Sequence, residues 1–212
     1  MFKKSFVCIG LLLSVGAYAA SANNILTQAS KLLETDKELA VSNVIKNEQK
    51  FKSVEDKLEA ANWLYSIGKK TEALRIYEGI YKNDNSNLYA LLGITSIRDS
   101  KYQDHKQISY DLLLPFYEKA KSTRNLKYFL YMGYLSLDLN ADIAPLYFDE
   151  AIALSDLPEA YLGLGLAYEI TNREKAESFY SHILDERLLN DNDAAQVMTR
   201  LSILRNRKAF QK

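Results

Sequence analysis

The chain has 212 residues, 48% of them hydrophobic and 25% charged, an ordinary folded composition that excludes a disordered chain. Its 27 basic residues balance 27 acidic ones, so no concentrated positive field points to nucleic acid. Only 8 glycines and 3 prolines supply turns, which favours long helices over a sheet of many strands.

Residues 1–19 read as a signal peptide. Lys3 and Lys4 precede an apolar run from Phe6 to Val15, and Ala17-Tyr18-Ala19 forms a small-x-small cleavage site, with Ala20-Ser21-Ala22 as a second choice. The run is too short to span a bilayer comfortably. The only cysteine, Cys8, falls inside it. The mature chain is therefore expected in the periplasm or outside the cell, with no thiol for a disulfide or for nucleophilic catalysis.

Residues 20–50 read as an N-terminal helical cap or partial repeat. One short helix, Asn24 to about Glu34, puts Ile25, Leu26, Ala29, Leu32 and Leu33 on one face; a second, Lys37 to Gln49, groups Leu39, Ala40, Val44 and Ile45. Residues 51–212 form the main domain. Ser53 with Asp56 three positions on predicts a capped helix start, and Gly68 predicts its stop. A helix from Glu72 to Lys82 ends in the polar run Asn83–Asn87. Helix pairs follow at about 87–98 with 108–122, 126–138 with 142–154, and 158–170 with 173–188. A last amphipathic helix, Asp191 to Arg207, carries Ala194, Val197, Met198, Leu201 and Leu204 on its apolar side and Arg200 and Arg205 outside.

Two signatures recur along this domain. The first is Tyr89-x-x-Leu92-Gly93, Phe129-x-x-Met132-Gly133 and Tyr161-x-x-Leu164-Gly165-x-x-Tyr168. The second pairs a small or aliphatic residue with an aromatic four positions on: Ala73 with Tyr77, Leu113 with Tyr117, Ala144 with Phe148, Ala176 with Tyr180. A two-part unit repeated in this way predicts a stack of helix pairs. Small residues let two helices approach, and the aromatic rings fill the space between pairs. The unit containing Gly93 is longer than the others by roughly eight residues, and the spacing places that insert at 99–108.

These residues resemble the tetratricopeptide repeat family. The stretch Gly68-Lys-Lys-Thr71-Glu72-Ala73-Leu74-Arg75-Ile76-Tyr77-Glu78 is similar to a second helix of the family, and Pro158-Glu-Ala-Tyr161-Leu-Gly-Leu164-Gly165-Leu-Ala-Tyr168 to a first helix. The resemblance implies an all-α, right-handed α-α superhelix of about four helix pairs with capping helices at both ends. The family's proline near the end of the second helix is missing, and Ser96 and Ser136 replace an aromatic after the glycine. By the same resemblance a concave face carries Tyr65, Leu91, Ile94, Tyr131, Tyr134, Leu162 and Leu166, with Asn62, Arg98 and Asp138 at its margins. Some family members hold a C-terminal carboxylate in a Lys/Asn/Arg clamp; here Lys127 is present without a matching set. The implied ligand is an apolar peptide or a partner helix, and the family's exported members assist pilus, secretion or envelope assembly.

Two rival readings differ in mechanism. In one, the chain's own Ile25, Leu26, Leu32 and Leu33 fill the groove, and an accessory or regulatory subunit contacts its partner through the 99–108 insert. In the other, the stack is a periplasmic enzyme, but His105 and His182 lack ligand spacing. Gly163-x-Gly165 has no third glycine and no preceding strand, so it reads as helix packing. Asp149-Glu150 and Asp185-Glu186 read as solvated faces, since neighbouring helical positions diverge. The sequence thus predicts a binding scaffold with no catalytic residue, metal or cofactor.

Overall fold

Helix-forming residues dominate, and the termini carry their own stop and start chemistry. The structure, a computed structural model, describes residues 20–101, 105–186 and 189–209, all of it helix, turn or irregular backbone. The expected signal peptide, with Cys8, lies outside the described residues, as does the middle of the expected insert. The chain divides between Lys101 and Tyr102 into two compact units.

The first unit holds α1 (Ala20–Leu33), α2 (Lys37–Lys46), α3 (Val54–Ser66), α4 (Lys70–Asn83) and α5 (Leu88–Lys101). Helix α1 pairs with α2 and α3 with α4, while α1 touches α3 and α3 touches α5. Helix α1 therefore packs beside α3 as well as against α2. Its Ile25 and Leu26 pack on a core that includes Val44, Phe51, Leu64, Ile76 and Tyr77. Each such side chain contributes roughly 1.5–3 kcal/mol on burial. The Ser53–Asp56 capping box is complete: Asp56 N–H donates to Ser53 Oγ at 3.0 Å, and Ser53 N–H to Asp56 Oδ2 at 3.3 Å. Gly68 stops α3 with φ +83°, while Gly68 N–H donates to Tyr65 O and Lys69 N–H to Leu64 O. That left-handed step is available to glycine without steric cost.

The second unit holds α6 (His105–Leu113), α7 (Tyr117–Ser122), α8 (Leu126–Leu139), α9 (Ala144–Leu154), α10 (Pro158–Thr171), α11 (Arg173–Asp185) and α12 (Asp191–Ala209). Asparagine supplies three of the starts: Asn125, Asn172 and Asn190 each accept a backbone N–H three residues on.

Three expectations are corrected. The helix at 108–122 is broken, because Leu114–Phe116 is a 3-10 turn around Pro115. Proline has no N–H and its ring collides with the preceding turn. The 99–108 insert is largely absorbed into helix: α5 runs to Lys101 and α6 starts at His105, where Lys106 pairs with Asp138. In α12 the buried side is Val197, Leu201 and Leu204, whereas Met198 is exposed.

Candidate functional site

Glycine and aromatic side chains make the joints that hold each face in place. A Cβ on Gly93 would lie 2.6 Å from the Tyr77 ring, one on Gly133 2.6 Å from Phe148, and one on Gly165 2.2 Å from Tyr180. Gly163 meets Phe148 from the other side at 2.2 Å, so both glycines of Gly163-x-Gly165 serve packing inside α10. Ala73, Ala144 and Ala176 are fully buried, as are Phe148 and Tyr180. Tyrosine tips find acceptors: Tyr77 donates to Asn62 at 2.6 Å, Tyr180 to Glu169 at 2.7 Å, and Tyr117 to Glu150 at 2.9 Å. Burial keeps the Tyr77 and Tyr180 phenols un-ionised by raising them above the usual tyrosine range.

Tyr117 departs from the set. It is only partly buried, and its ring meets Phe129 and Tyr147 edge-on at centroid distances of 5.8 and 6.1 Å. Its N–H bonds Leu114 O in the 3-10 turn. The Leu113 carbonyl is taken instead by the Tyr128 hydroxyl at 3.1 Å.

The proposed face divides between the two units. In the first, Leu91 and Ile94 are buried at 2% and 4% exposure and offer no surface to a partner, which corrects their placement on the face. Both belong to a helix whose apolar residues run all round, so spacing alone could not tell the inner from the outer side. Tyr65 is partly buried against the core, and Arg98 pairs with Glu78 at 3.0 Å on an exposed margin. In the second unit, Tyr131 and Tyr134 on α8 and Leu162 and Leu166 on α10 all stay partly exposed. Their two helices are in contact. Tyr134 is locked: its hydroxyl donates to Glu159 O at 2.8 Å, and its ring stands edge-on to Phe148 at 5.2 Å. Leu162 packs against the C-terminal cluster of Tyr180, Ile183 and Val197.

The residues weighed for catalysis lie apart. His182 sits on α11 with its ring against Tyr161 at 4.5 Å, and His105 opens α6. Glu150 turns to Lys121 and Tyr117, and the Lys121 hydrogen bond holds its carboxyl below the usual range. Neighbouring Asp149 is raised by burial and senses Lys175 instead. Tyr161 is pushed up to about 12 by its bond to Asp156 and by burial. Among the described residues no group of three or more His, Cys, Asp or Glu is placed to hold a metal ion. No described helix is long and apolar enough to cross a membrane.

Solved structures share this arrangement of paired helices. A thermophilic TPR protein of Thermus thermophilus, TTC0263, aligns over 87% of this chain and 98% of its own, with TM-score 0.60 at 16% identity. The chain has the tetratricopeptide-repeat fold. A tetratricopeptide repeat protein from Parabacteroides merdae ATCC 43184 aligns over 90% of this chain and 76% of its own, with TM-score 0.62 at 14% identity. A MamA RS-1 double mutant aligns over 91% and 98%, with TM-score 0.52 at 13% identity. No protein-family model matches the sequence, and no curated protein matches it. Gly163 lies outside the repeat signatures, and the packing expected of Gly163-x-Gly165 is met by its contact with Phe148.

Proposed function

We propose that this tetratricopeptide-repeat protein is a non-catalytic binding scaffold that holds an apolar peptide or a partner helix on the α8–α10 face. The observation that carries the reading is the partial exposure of Tyr131, Tyr134, Leu162 and Leu166 beside wholly buried neighbours such as Phe129, Met132 and Leu164. Partly exposed aromatic and aliphatic side chains on adjoining helices suit an amphipathic segment, which anchors through residues three and four apart. Tyr134 is fixed at both ends, so one wall of the face is ordered before any ligand arrives.

The protein acts after export, its leader 1–19 removed, and serves assembly at the cell envelope, with pilus or secretion components as the partner class. The leader's charge, apolar core and A-x-A site support this. N-terminal sequencing of the mature protein should begin at Ala20, or at Asn23 for the second site. A mature protein that keeps Met1 would end the export reading.

Binding is tested with a photo-crosslinking residue at Tyr131 or Leu166, with exposed Leu146 on α9 as the control position. Crosslinks to the same partner from Tyr131 and Leu166, lost in Tyr131→Ala/Leu166→Ala, are expected. Equal crosslinking from Leu146 would remove the face assignment.

A further inference from the structure

Glu159 shares one side of α10 with Leu162 and Leu166, at helical spacing. The Tyr134 hydroxyl of α8 donates to the Glu159 carbonyl at 2.8 Å, so this acid stands beside the aromatic wall of the α8–α10 face. Burial first, and the Glu159 charge second, hold the Tyr134 phenol above the usual tyrosine range. One carboxylate oxygen, Oε2, is shut off from solvent and accepts no hydrogen bond. The residue as a whole is partly exposed, so a group on the face can reach the carboxylate. An acid in the first turn of a helix suits the dipole, but a fully solvated one would do so equally. A half-dehydrated carboxylate costs stability until a donor meets it.

The chain's own bases do not supply that donor. The helices packed on α10 are α8, α9 and α11. Helix α9 carries no base. On α11, Arg173 is held by Glu177, Lys175 lies over the Tyr168 ring at 4.8 Å, and His182 packs on Tyr161. On α12, Arg200 is held by Glu169 and Arg205 reaches Ser181 and Glu177. Lys127 of α8 is the one base left, and among the described residues it makes no ion pair with Glu159. The nearest acid along the chain, Asp156, is bonded by the Tyr161 hydroxyl. The first turn of α12 adds Asp191 and Asp193, so the α10–α12 end of the face has an acidic rim.

The apolar side of the face continues onto α12. Leu166 and Met198 follow Tyr134 at two successive steps of 32 residues, the interval from Gly133 to Gly165. Each comes directly after a packed residue of its helix: Gly133, Gly165 and Val197. Leu162 joins the cluster that holds Val197 and Leu201, and Met198 is 57% exposed. Resting on the α8–α10 reading, we propose that Glu159 is the specificity-determining acid of this face: it receives a lysine or arginine side chain from an otherwise apolar helical segment of a partner protein, whose apolar side lies on Tyr131, Tyr134, Leu166 and Met198. A carboxylate already stripped of part of its water and fixed beside Tyr134 forms a charge-assisted bond with less to lose than a solvated one. Two interhelical spacings of about 8–10 Å ask for roughly 11–13 residues of helix in the segment.

The test uses helical peptides of about 14 residues with leucine at i, i+3, i+4 and i+7 in an alanine–glutamine background. One set carries a single lysine moved along the polar side, and the matched set carries glutamate. Affinity is read by fluorescence anisotropy, and position by photo-crosslinking from Tyr131 and Met198. The best lysine peptide should crosslink from both positions and bind about tenfold or more tightly than its glutamate partner. Glu159→Gln should remove that preference, whereas Glu174→Gln on the exposed side of α11 should keep it. Glu159→Gln should also melt no more than about 2 °C below wild type, because it leaves no charge half-buried. Crosslinking from Tyr131 without preference for lysine, or equal losses in the two glutamine variants, would overturn the role of Glu159 and leave the face standing. No crosslinked peptide at all would remove both. A stability coupling between Lys127→Met and Glu159→Gln in the peptide-free protein would also overturn the proposal, since Glu159 would then serve an internal pair.

Discussion

The α10–α11 pair and the α6–α7 stretch against α8 start from one repeated pattern and end differently. In the first, Gly165 leaves no side chain in the way, and the Tyr180 ring settles to 0% exposure with its hydroxyl on Glu169, which also holds Arg200 at 2.8 Å. In the second, Leu113 stands where the other repeats have alanine, and Pro115 interrupts the helix before Tyr117. There the join is made by ring edges and by hydroxyls: Tyr128 on Leu113 O, and Tyr110 with Tyr147 at 3.1 Å. Close backbone approach and polar aromatic tips are thus alternative ways to hold neighbouring helices. The first buries the ring wholly; the second leaves Tyr117 partly in solvent.

The sharpest way to break this contrast is to truncate one ring of each kind. Phe148 lies between Gly133 and Gly163 and is fully buried, so Phe148→Ala should cost about 3–5 kcal/mol. Tyr117→Ala loses a partly exposed ring and one hydrogen bond, and should cost about 1–2 kcal/mol. Urea unfolding of both variants decides it, and equal losses would mean that exposure does not separate the two joints.

A methyl group tests the close approach itself. Gly165→Ala puts a Cβ against the immobile Tyr180 ring and should cost about 1–3 kcal/mol. Gly79, inside α4, has nothing within 4 Å of an added Cβ. Gly79→Ala should therefore gain roughly 0.5–1 kcal/mol from helix propensity. Thermal melts that move in the same direction for the two alanines would remove the packing role assigned to Gly165.

The hydroxyl joints are expected to be weaker. Tyr128→Phe keeps the ring and leaves the buried Leu113 carbonyl without its donor, a loss of about 1–2 kcal/mol. A variant as stable as wild type would show that another donor replaces the hydroxyl.

Much of this was legible in the residues. Glycine and alanine at fixed offsets from an aromatic identified the joints, because only small side chains permit that approach, and Ser53, Asp56 and Gly68 marked helix ends by their own hydrogen-bonding and backbone preferences. The side of α5 that faces the core was not legible. Leu88, Leu91, Leu92, Ile94 and Ile97 leave no polar stripe, and burial at Leu91 and Ile94 depends on what packs there. The Pro115 break carried a signal in the proline itself, but the continuous apolar spacing outweighed it.

The smallest effect expected concerns the turn between α7 and α8, which repeats the Gly68 turn with the wrong residue. Arg124 has φ 52°, Asn125 N–H donates to Ala120 O at 2.8 Å, and Arg124 N–H to Lys121 O at 3.2 Å. These are the same two bonds that close α3 around Gly68. A residue with a Cβ is strained in the left-handed region by about 1–2 kcal/mol, while glycine costs roughly 0.5–1 kcal/mol in chain entropy. Arg124→Gly should therefore raise stability by up to about 1 kcal/mol, and Gly68→Arg should lower it by a similar amount. A melt in which Arg124→Gly loses stability would mean that the exposed guanidinium contributes more than the strain it imposes, and that the two turns are alike only in their backbone.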